Sequence, residues 1–134
     1  MPELNQRSRD KLSTCHPDLW VLAEEAAKHM DFIIVCGYRD KKDQSKAYAG
    51  GYSNALWPDS KHNHMTKKLV DDKLEMAPES LAIDVAPLPL NWKDIERFCI
   101  LIGVFKACAS ILNIPIRFGR DIRKGDYGHI ELYV

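Results

Sequence analysis

The clearest structural signal in the sequence is a long periodic stretch of apolar residues in its second half. Between residues 91 and 113, apolar side chains recur at the spacing that places them on one face of a helix. The residues that keep this period are Ile95, Phe98, Cys99, Ile102, Phe105, Ala109 and Leu112. Asn91 and Asn113 suit the two ends of such a helix. The pattern therefore predicts a helix over residues 91–113 whose apolar face must pack against other elements.

Shorter helices and strands are predicted on both sides of this helix. Pro17 suits a first helical position, and the apolar spacing after it predicts a helix over residues 17–30. Residues 41–49 are predicted to form a short helix that Gly50 and Gly51 end. Apolar runs predict strands at residues 31–37, 81–85, 114–118 and 129–134, the last two forming an antiparallel pair. Interleaved helices and strands predict an α+β fold, with helices packed on a small antiparallel sheet.

Length, charge and hydropathy limit the class of protein. The 134 residues suffice for one domain, so residues 1–134 are treated as a single unit. The formal net charge is zero, and no basic patch with interleaved aromatic residues points to nucleic acid. No apolar run could insert into a membrane, and residues 1–12 lack the apolar middle of a secretory signal. The expected location is the cytoplasm, where the cysteines stay free thiols.

A polar stretch over residues 52–79 is rich in His, Lys and Asp and is predicted to be irregular. Connections of this length are often functional. It contains His62 and His64, whereas His16 and His29 flank the predicted helix over residues 17–30. His16 is expected to help cap that helix, and His29 to occupy a surface position near its end.

Asp84 is unusual because it interrupts an otherwise apolar predicted strand. A carboxylate there is costly unless it is paired or binds a metal. His129 begins the last predicted strand. Spacing alone favours the simpler interpretation, in which the histidines lie in loops and Asp84 forms a salt bridge. A metal site requires a fold that brings these distant segments together.

If they meet, two imidazoles and one carboxylate form a three-ligand zinc site with an open fourth position for water. Such a site is catalytic in type, because structural zinc is normally closed by four protein ligands. Asp126, three residues before His129, is then the natural general base for that water. Glu131 is expected on the same strand face as His129, where it can orient the imidazole.

Several short segments carry a family resemblance through their shared order. They are Gly37-Tyr38-Arg39, Ser60-Lys61-His62, Ala82-Ile83-Asp84 and Asp126-Tyr127-Gly128-His129. The chain resembles the zinc D-alanyl-D-alanine carboxypeptidase family, and most of all the phage endolysins that act as L-alanyl-D-glutamate peptidases. The resemblance implies that family's fold, and one zinc ion held by His62, Asp84 and His129. It further implies Asp126 as general base and Arg39 as oxyanion stabiliser. Arg39 and Ser60 are the substrate-binding residues that it implies.

The resemblance also implies a biological setting. The substrate would be a peptidoglycan stem peptide, cleaved by a monomer that waits in the host cytoplasm. The enzyme would reach the periplasmic cell wall after a holin-type protein permeabilises the membrane. The same zinc chemistry would also suit a D-alanyl-D-alanine carboxypeptidase, and loss of turnover would leave a wall-binding module.

The interval between His62 and Asp84 is longer than is usual in that family, so residues 65–79 are interpreted as an insertion. Three interpretations of this insertion stay open: a lid, a substrate-binding loop or a plain surface excursion. The serine two residues earlier favours His62 over His64 as the ligand.

Overall fold

The computed structural model describes residues 3–133, which contain four α-helices and six β-strands. The helices are α1 (Gln6–Leu12), α2 (Pro17–Ala27), α3 (Lys41–Ala49) and α4 (Ile95–Leu112). The strands are β1 (Phe32–Cys36), β2 (Met65–Val70), β3 (Lys73–Pro78), β4 (Ala82–Pro87), β5 (Ile116–Phe118) and β6 (His129–Leu132). Short 3-10 turns cover Lys61–Asn63 and Gly119–Asp121.

Four strands form one antiparallel sheet in the order β1-β4-β6-β5. Asp84 of β4 lies directly opposite His129 of β6, and Cys36 of β1 lies opposite Asp84 on the other side. The two closing strands, β5 and β6, form the antiparallel pair that the sequence predicts. The predicted α+β fold with a small antiparallel sheet is therefore confirmed.

Helices α2 and α4 contact each other, and α4 also packs against β4 and β5. The buried residues of α4 are Phe98, Leu101, Ile102, Phe105, Cys108 and Ala109. Phe105 is fully buried and meets Phe32 of β1 edge to face, with ring centroids 5.2 Å apart. Burying a side chain of this size contributes about 2–3 kcal/mol. The predicted apolar stripe therefore anchors the helix to the sheet.

The helix ends follow from local polar groups. His16 caps α2, with its Nδ1 accepting a hydrogen bond from the Asp18 amide at 3.0 Å, as expected from the sequence. The long helix ends as expected at Asn113, which has a left-handed backbone with φ of 61°. It begins later than predicted because Asp94 caps it, accepting from the Arg97 amide at 3.2 Å. His29 is exposed, as expected.

Helix α1 was not predicted. Asn5 caps it by accepting a hydrogen bond from the Ser8 amide, and the buried Ser8 hydroxyl accepts one from the Ile34 amide at 2.9 Å. Ser8 and Leu12 are its buried residues, so it has no apolar stripe that periodicity could detect.

The prediction of an irregular structure throughout residues 52–79 is wrong. Strands β2 and β3 form a regular antiparallel hairpin, closed by Asp71 and Asp72 with positive φ angles of 51° and 65°. Lys68 lies opposite Glu75, an opposite-charge pair that stabilises such ladders. Most of the hairpin is exposed on both faces, so burial imposes no clear alternation on its sequence.

All four cysteines are free thiols, as expected. Within residues 3–133, no helix combines the length and apolar character needed to cross a membrane.

Candidate metal centre

Strands β1, β4 and β6 of the sheet contribute residues to an open cleft of about 600 Å³. Its walls come from the loop after α3, the 3-10 turn before β2, and the segment that joins β5 to β6. The predicted site residues that line it are Arg39, Ser60, His62, Asp84, Asp126 and His129. The fold therefore gathers on one cleft all the residues for which a site role was expected.

Asp84 and His129 meet because their strands pair in register. Cross-strand partners project to the same face of a sheet, and His129 Nδ1 lies 3.2 Å from Asp84 Oδ1. His62 arrives from the 3-10 turn, and its Nε2 lies 3.4 Å from Asp84 Oδ2. His62 Nε2 and His129 Nδ1 are 3.3 Å apart. Three potential ligand groups thus converge on one point.

His62 is held rigidly by its surroundings. Its side chain is 1% exposed, and its Nδ1 lies 2.8 Å from the Gly37 carbonyl, which can only accept a hydrogen bond, so Nδ1 carries a hydrogen. The Ser60 hydroxyl accepts from the His62 amide at 3.2 Å and caps the turn. Because Nδ1 faces a carbonyl, Nε2 is the nitrogen left free to bind a metal.

The distances among these groups fit a tetrahedral zinc site. Nitrogen and oxygen ligands lie about 2.0–2.2 Å from zinc, which places neighbouring ligand atoms about 3.3–3.6 Å apart in a tetrahedron. His62 Nε2 and His129 Nδ1 are 3.3 Å apart, which matches such an edge. Each nitrogen also lies close to one of the two Asp84 oxygens, His129 Nδ1 at 3.2 Å from Oδ1 and His62 Nε2 at 3.4 Å from Oδ2. Two imidazoles and a carboxylate are also a ligand set that zinc accepts with one position left open. The residues therefore fit a catalytic metal.

Cys36 offers a different set of ligands. Cys36, His62 and Asp84 can each bring one ligand atom to within 4.8 Å of the others. The thiol, however, lies 3.9 Å from His62 Nδ1, the nitrogen that already faces the Gly37 carbonyl. His62 Nε2 faces Asp84 and His129 instead. The set that contains His129 is thus the better candidate.

His129 is oriented by the Glu131 carboxylate, which the sequence suggested for this role. His129 Nε2 lies 2.9 Å from Glu131 Oε1, so Nδ1 is left to face Asp84. Lys61 and Arg117 also approach Glu131, at 3.0 and 3.2 Å. Burial raises the pKa of Glu131, but the bonds to His129 and Lys61 outweigh it and lower the pKa to about 2. Glu131 therefore stays ionised.

Strong coupling governs the charges of the three central groups. Burial disfavours the charged form of His62, but the Asp84 carboxylate prevails and raises the His62 pKa to about 10. The pKa of His129 is also raised, because hydrogen bonds to Asp84 and Glu131 exceed the opposing effect of burial. The pKa of Asp84 falls far below its usual range despite its burial, chiefly through the charge of His62. In the metal-free protein, the proton on His62 therefore supplies the positive charge that faces the Asp84 carboxylate.

Asp126 lies beside His129 on the cleft wall. The two pack so closely around Gly119 that a Cβ there would lie 2.7 Å from the Asp126 carboxyl carbon and 2.6 Å from His129 Cβ. Burial raises the pKa of Asp126 above its ordinary value, against a smaller opposing effect of His129. A raised pKa suits a carboxylate that both accepts and returns a proton near neutrality.

Arg39 lies at the edge of the cleft and reaches the Asp84 carboxylate at the centre of the site. Its guanidinium donates to Asp84 Oδ2 at 3.0 Å and to Gln44 Oε1 at 3.1 Å. Gln44 is fully buried and also accepts a hydrogen bond from Asn63. These contacts fix Arg39, whose side chain is 14% exposed, at the edge of the cleft. Two of its five N–H groups are used in these contacts.

His64 does not join the site. Its side chain is 42% exposed, and its Nδ1 lies 2.9 Å from the Glu79 carbonyl. Three further residues support the centre although the sequence predicted no site role for them, namely Lys61, Arg117 and Gly119. Their signal is weak, because each contacts a partner from a distant segment or only provides space. Gly119 does follow a predicted strand, where close packing can require glycine.

The sequence matches the phage L-alanyl-D-glutamate peptidase family over residues 2–132. No significant match was found among curated protein sequences. Among solved structures, the fold is similar to that of the L-Ala D-Glu endopeptidase ChiX of Serratia marcescens, with a TM-score of 0.75. The two chains are 21% identical, and the match covers 96% of this chain and 87% of that one.

Proposed function

The chain belongs to the phage L-alanyl-D-glutamate peptidase family, and we propose that it is a zinc-dependent endolysin that hydrolyses this bond in peptidoglycan stem peptides. The observation that carries the zinc assignment is the convergence of His62 Nε2, Asp84 and His129 Nδ1 at mutual distances of 3.2–3.4 Å. The 3.3 Å between the two nitrogens matches one edge of a zinc coordination tetrahedron, and the Asp84 carboxylate has an oxygen within 3.4 Å of each nitrogen.

His62, Asp84 and His129 would hold the ion. When bound, zinc supplies Lewis acidity and lowers the pKa of water toward 7. Glu131 fixes the His129 tautomer, and the Gly37 carbonyl fixes that of His62, so both rings keep one nitrogen turned toward the centre. Ser60 contributes by capping the turn that carries His62, in addition to lining the substrate cleft.

Asp126 is proposed to accept a proton from the attacking water and to return it to the leaving amine. Its place beside His129 and its raised pKa support this role, because a carboxylate with an ordinary pKa returns a proton poorly at neutral pH. Arg39 is proposed to bind the substrate and to stabilise negative charge that develops on the scissile carbonyl oxygen. Its unused N–H groups at the cleft edge support this.

We also propose the route by which the enzyme reaches its substrate. A monomer accumulates in the host cytoplasm, and a holin-type protein then lets it pass to the periplasmic cell wall. The family assignment to phage peptidases supports this order of events.

The test is a digest of purified peptidoglycan, with and without a zinc chelator, analysed by mass spectrometry for new termini. We expect chelator-sensitive release of fragments with new D-glutamate amino termini, restored by added zinc. Release of terminal D-alanine would identify a carboxypeptidase instead. No cleavage by a folded, zinc-loaded sample would identify a wall-binding module.

A further inference from the structure

The cationic side chains of the cleft differ in whether a carboxylate neutralises them. Arg39 pairs with Asp84, and both Lys61 and Arg117 pair with Glu131. Arg123 also lines the cleft, but no carboxylate of residues 3–133 lies within 4.0 Å of its guanidinium. Its charge is therefore the one lysine or arginine charge of the described cleft lining that remains available to an anionic ligand.

Arg123 is also held in a defined position. Its amide donates to the Gly119 carbonyl at 2.7 Å, and its carbonyl accepts from the Asp126 amide at 3.2 Å. Its guanidinium donates to the Gly51 carbonyl, which belongs to a distant segment of the chain beside the cleft. A carbonyl is a neutral acceptor, and this contact occupies one of five N–H groups. Both Arg123 and Asp126 line the cleft, and the guanidinium charge partly opposes the rise in the pKa of Asp126 that burial causes.

The substrate class supplies a matching anion. A glutamate residue that follows the scissile bond is acylated on its nitrogen and continues the peptide through one of its two carboxyl groups. The other carboxyl group is then free and ionised, a few bonds from the nitrogen that leaves. An arginine is the side chain best suited to bind such a carboxylate with two parallel hydrogen bonds.

We propose that Arg123 binds the free carboxylate of the D-glutamate residue and so makes the enzyme specific for an anionic residue on the leaving side of the bond. This inference rests on the proposed function, because it assigns a subsite to the same cleft. Arg123 acts on substrate binding, whereas Asp126, three residues later, handles the proton. One turn of the chain would thus carry both the side chain that binds the departing D-glutamate and the side chain that protonates its amine.

Two synthetic peptides test the proposal. Both carry N-acetyl-L-alanine joined to D-glutamate, which continues to lysine through its γ-carboxyl group. In one the α-carboxyl group is free, and in the other it is an α-carboxamide. We expect the parent zinc enzyme to cleave the free acid with a kcat/KM about 10- to 100-fold higher, mainly through KM. Equal cleavage of both peptides would overturn the inference while leaving the proposed function intact.

Variants then test whether Arg123 causes the preference for the free-acid peptide. Arg123→Gln should lose it, cleaving both peptides at the rate of the parent on the carboxamide, and Arg123→Lys should retain most of it. Arg120→Gln is the matched control, because Arg120 is in the same turn, pairs with Asp121 at 3.9 Å and lies outside the cleft lining. Retention of the preference in Arg123→Gln, or its loss in Arg120→Gln, would contradict the assignment. A parent enzyme that cleaves neither peptide would overturn the proposed function as well.

Discussion

Replacing Glu131 with glutamine should remove much of the acid sensitivity of the metal-free protein. Glu131 lies within 3.2 Å of His129, Lys61 and Arg117, and its side chain is 7% exposed. The isosteric amide keeps the shape of the side chain and removes its charge. The comparison therefore isolates the contribution of one carboxylate to the free energy of unfolding.

The magnitude follows from the pKa of Glu131, about 2 in the folded protein against an ordinary value of 4.5. This difference corresponds to about 3 kcal/mol, with little loss to solvent screening because the side chain is buried. A lowered folded-state pKa gives stability that is present above the unfolded pKa and is lost as the pH falls toward the folded one. Between pH 6 and pH 3, about 2 kcal/mol should disappear from the parent.

Urea unfolding in the presence of a chelator, at pH 6 and pH 3, measures this loss. The lowered pKa of Asp84 also makes the parent less stable in acid, so the free energy of unfolding of the parent falls by more than the contribution of Glu131 alone. The loss in Glu131→Gln should be smaller than the loss in the parent by about 2 kcal/mol. Glu75→Gln, an exposed change on the hairpin, should behave like the parent. The reasoning is refuted if Glu131→Gln loses as much free energy between the two pH values as the parent does.

Three further predictions concern the metal and the proton. Asp126→Ala should lower kcat on cell wall by about 100-fold or more while the protein still binds one zinc by metal analysis, and an unchanged rate would exclude Asp126 as the base. His62→Ala should lose both zinc and activity, whereas the exposed control His64→Ala should keep both, as metal content and wall turbidity would show. Zinc affinity should rise by at least about tenfold per pH unit between pH 6 and pH 8, because binding displaces a proton from His62, whose pKa is about 10, and the raised pKa of His129 can only steepen this dependence. A pH-independent affinity in competition titrations would contradict that displacement.

The sequence predicted elements well where one face of the chain is buried by regular packing. The helices at residues 17–27 and 95–112 and all four strands of the main sheet carry apolar patterns that burial demands. Helix α1 and the β2–β3 hairpin escaped prediction because neither buries a continuous apolar face. Caps and cross-strand pairs stabilise them instead, and such contacts leave little trace in hydrophobic spacing.

By itself, the sequence determined the types of side chain available and the local elements that carry them. It identified Asp84 as anomalous, because a carboxylate within an apolar strand needs a partner whatever the fold. Only the tertiary structure decided which partners it has. Pairing of β4 with β6, which α4 and β5 separate along the chain, sets Asp84 opposite His129, and the turn capped by Ser60 turns His62 rather than His64 inward. Strand order and register depend on long-range packing, so residues far apart in sequence converge on a site that no local pattern specifies.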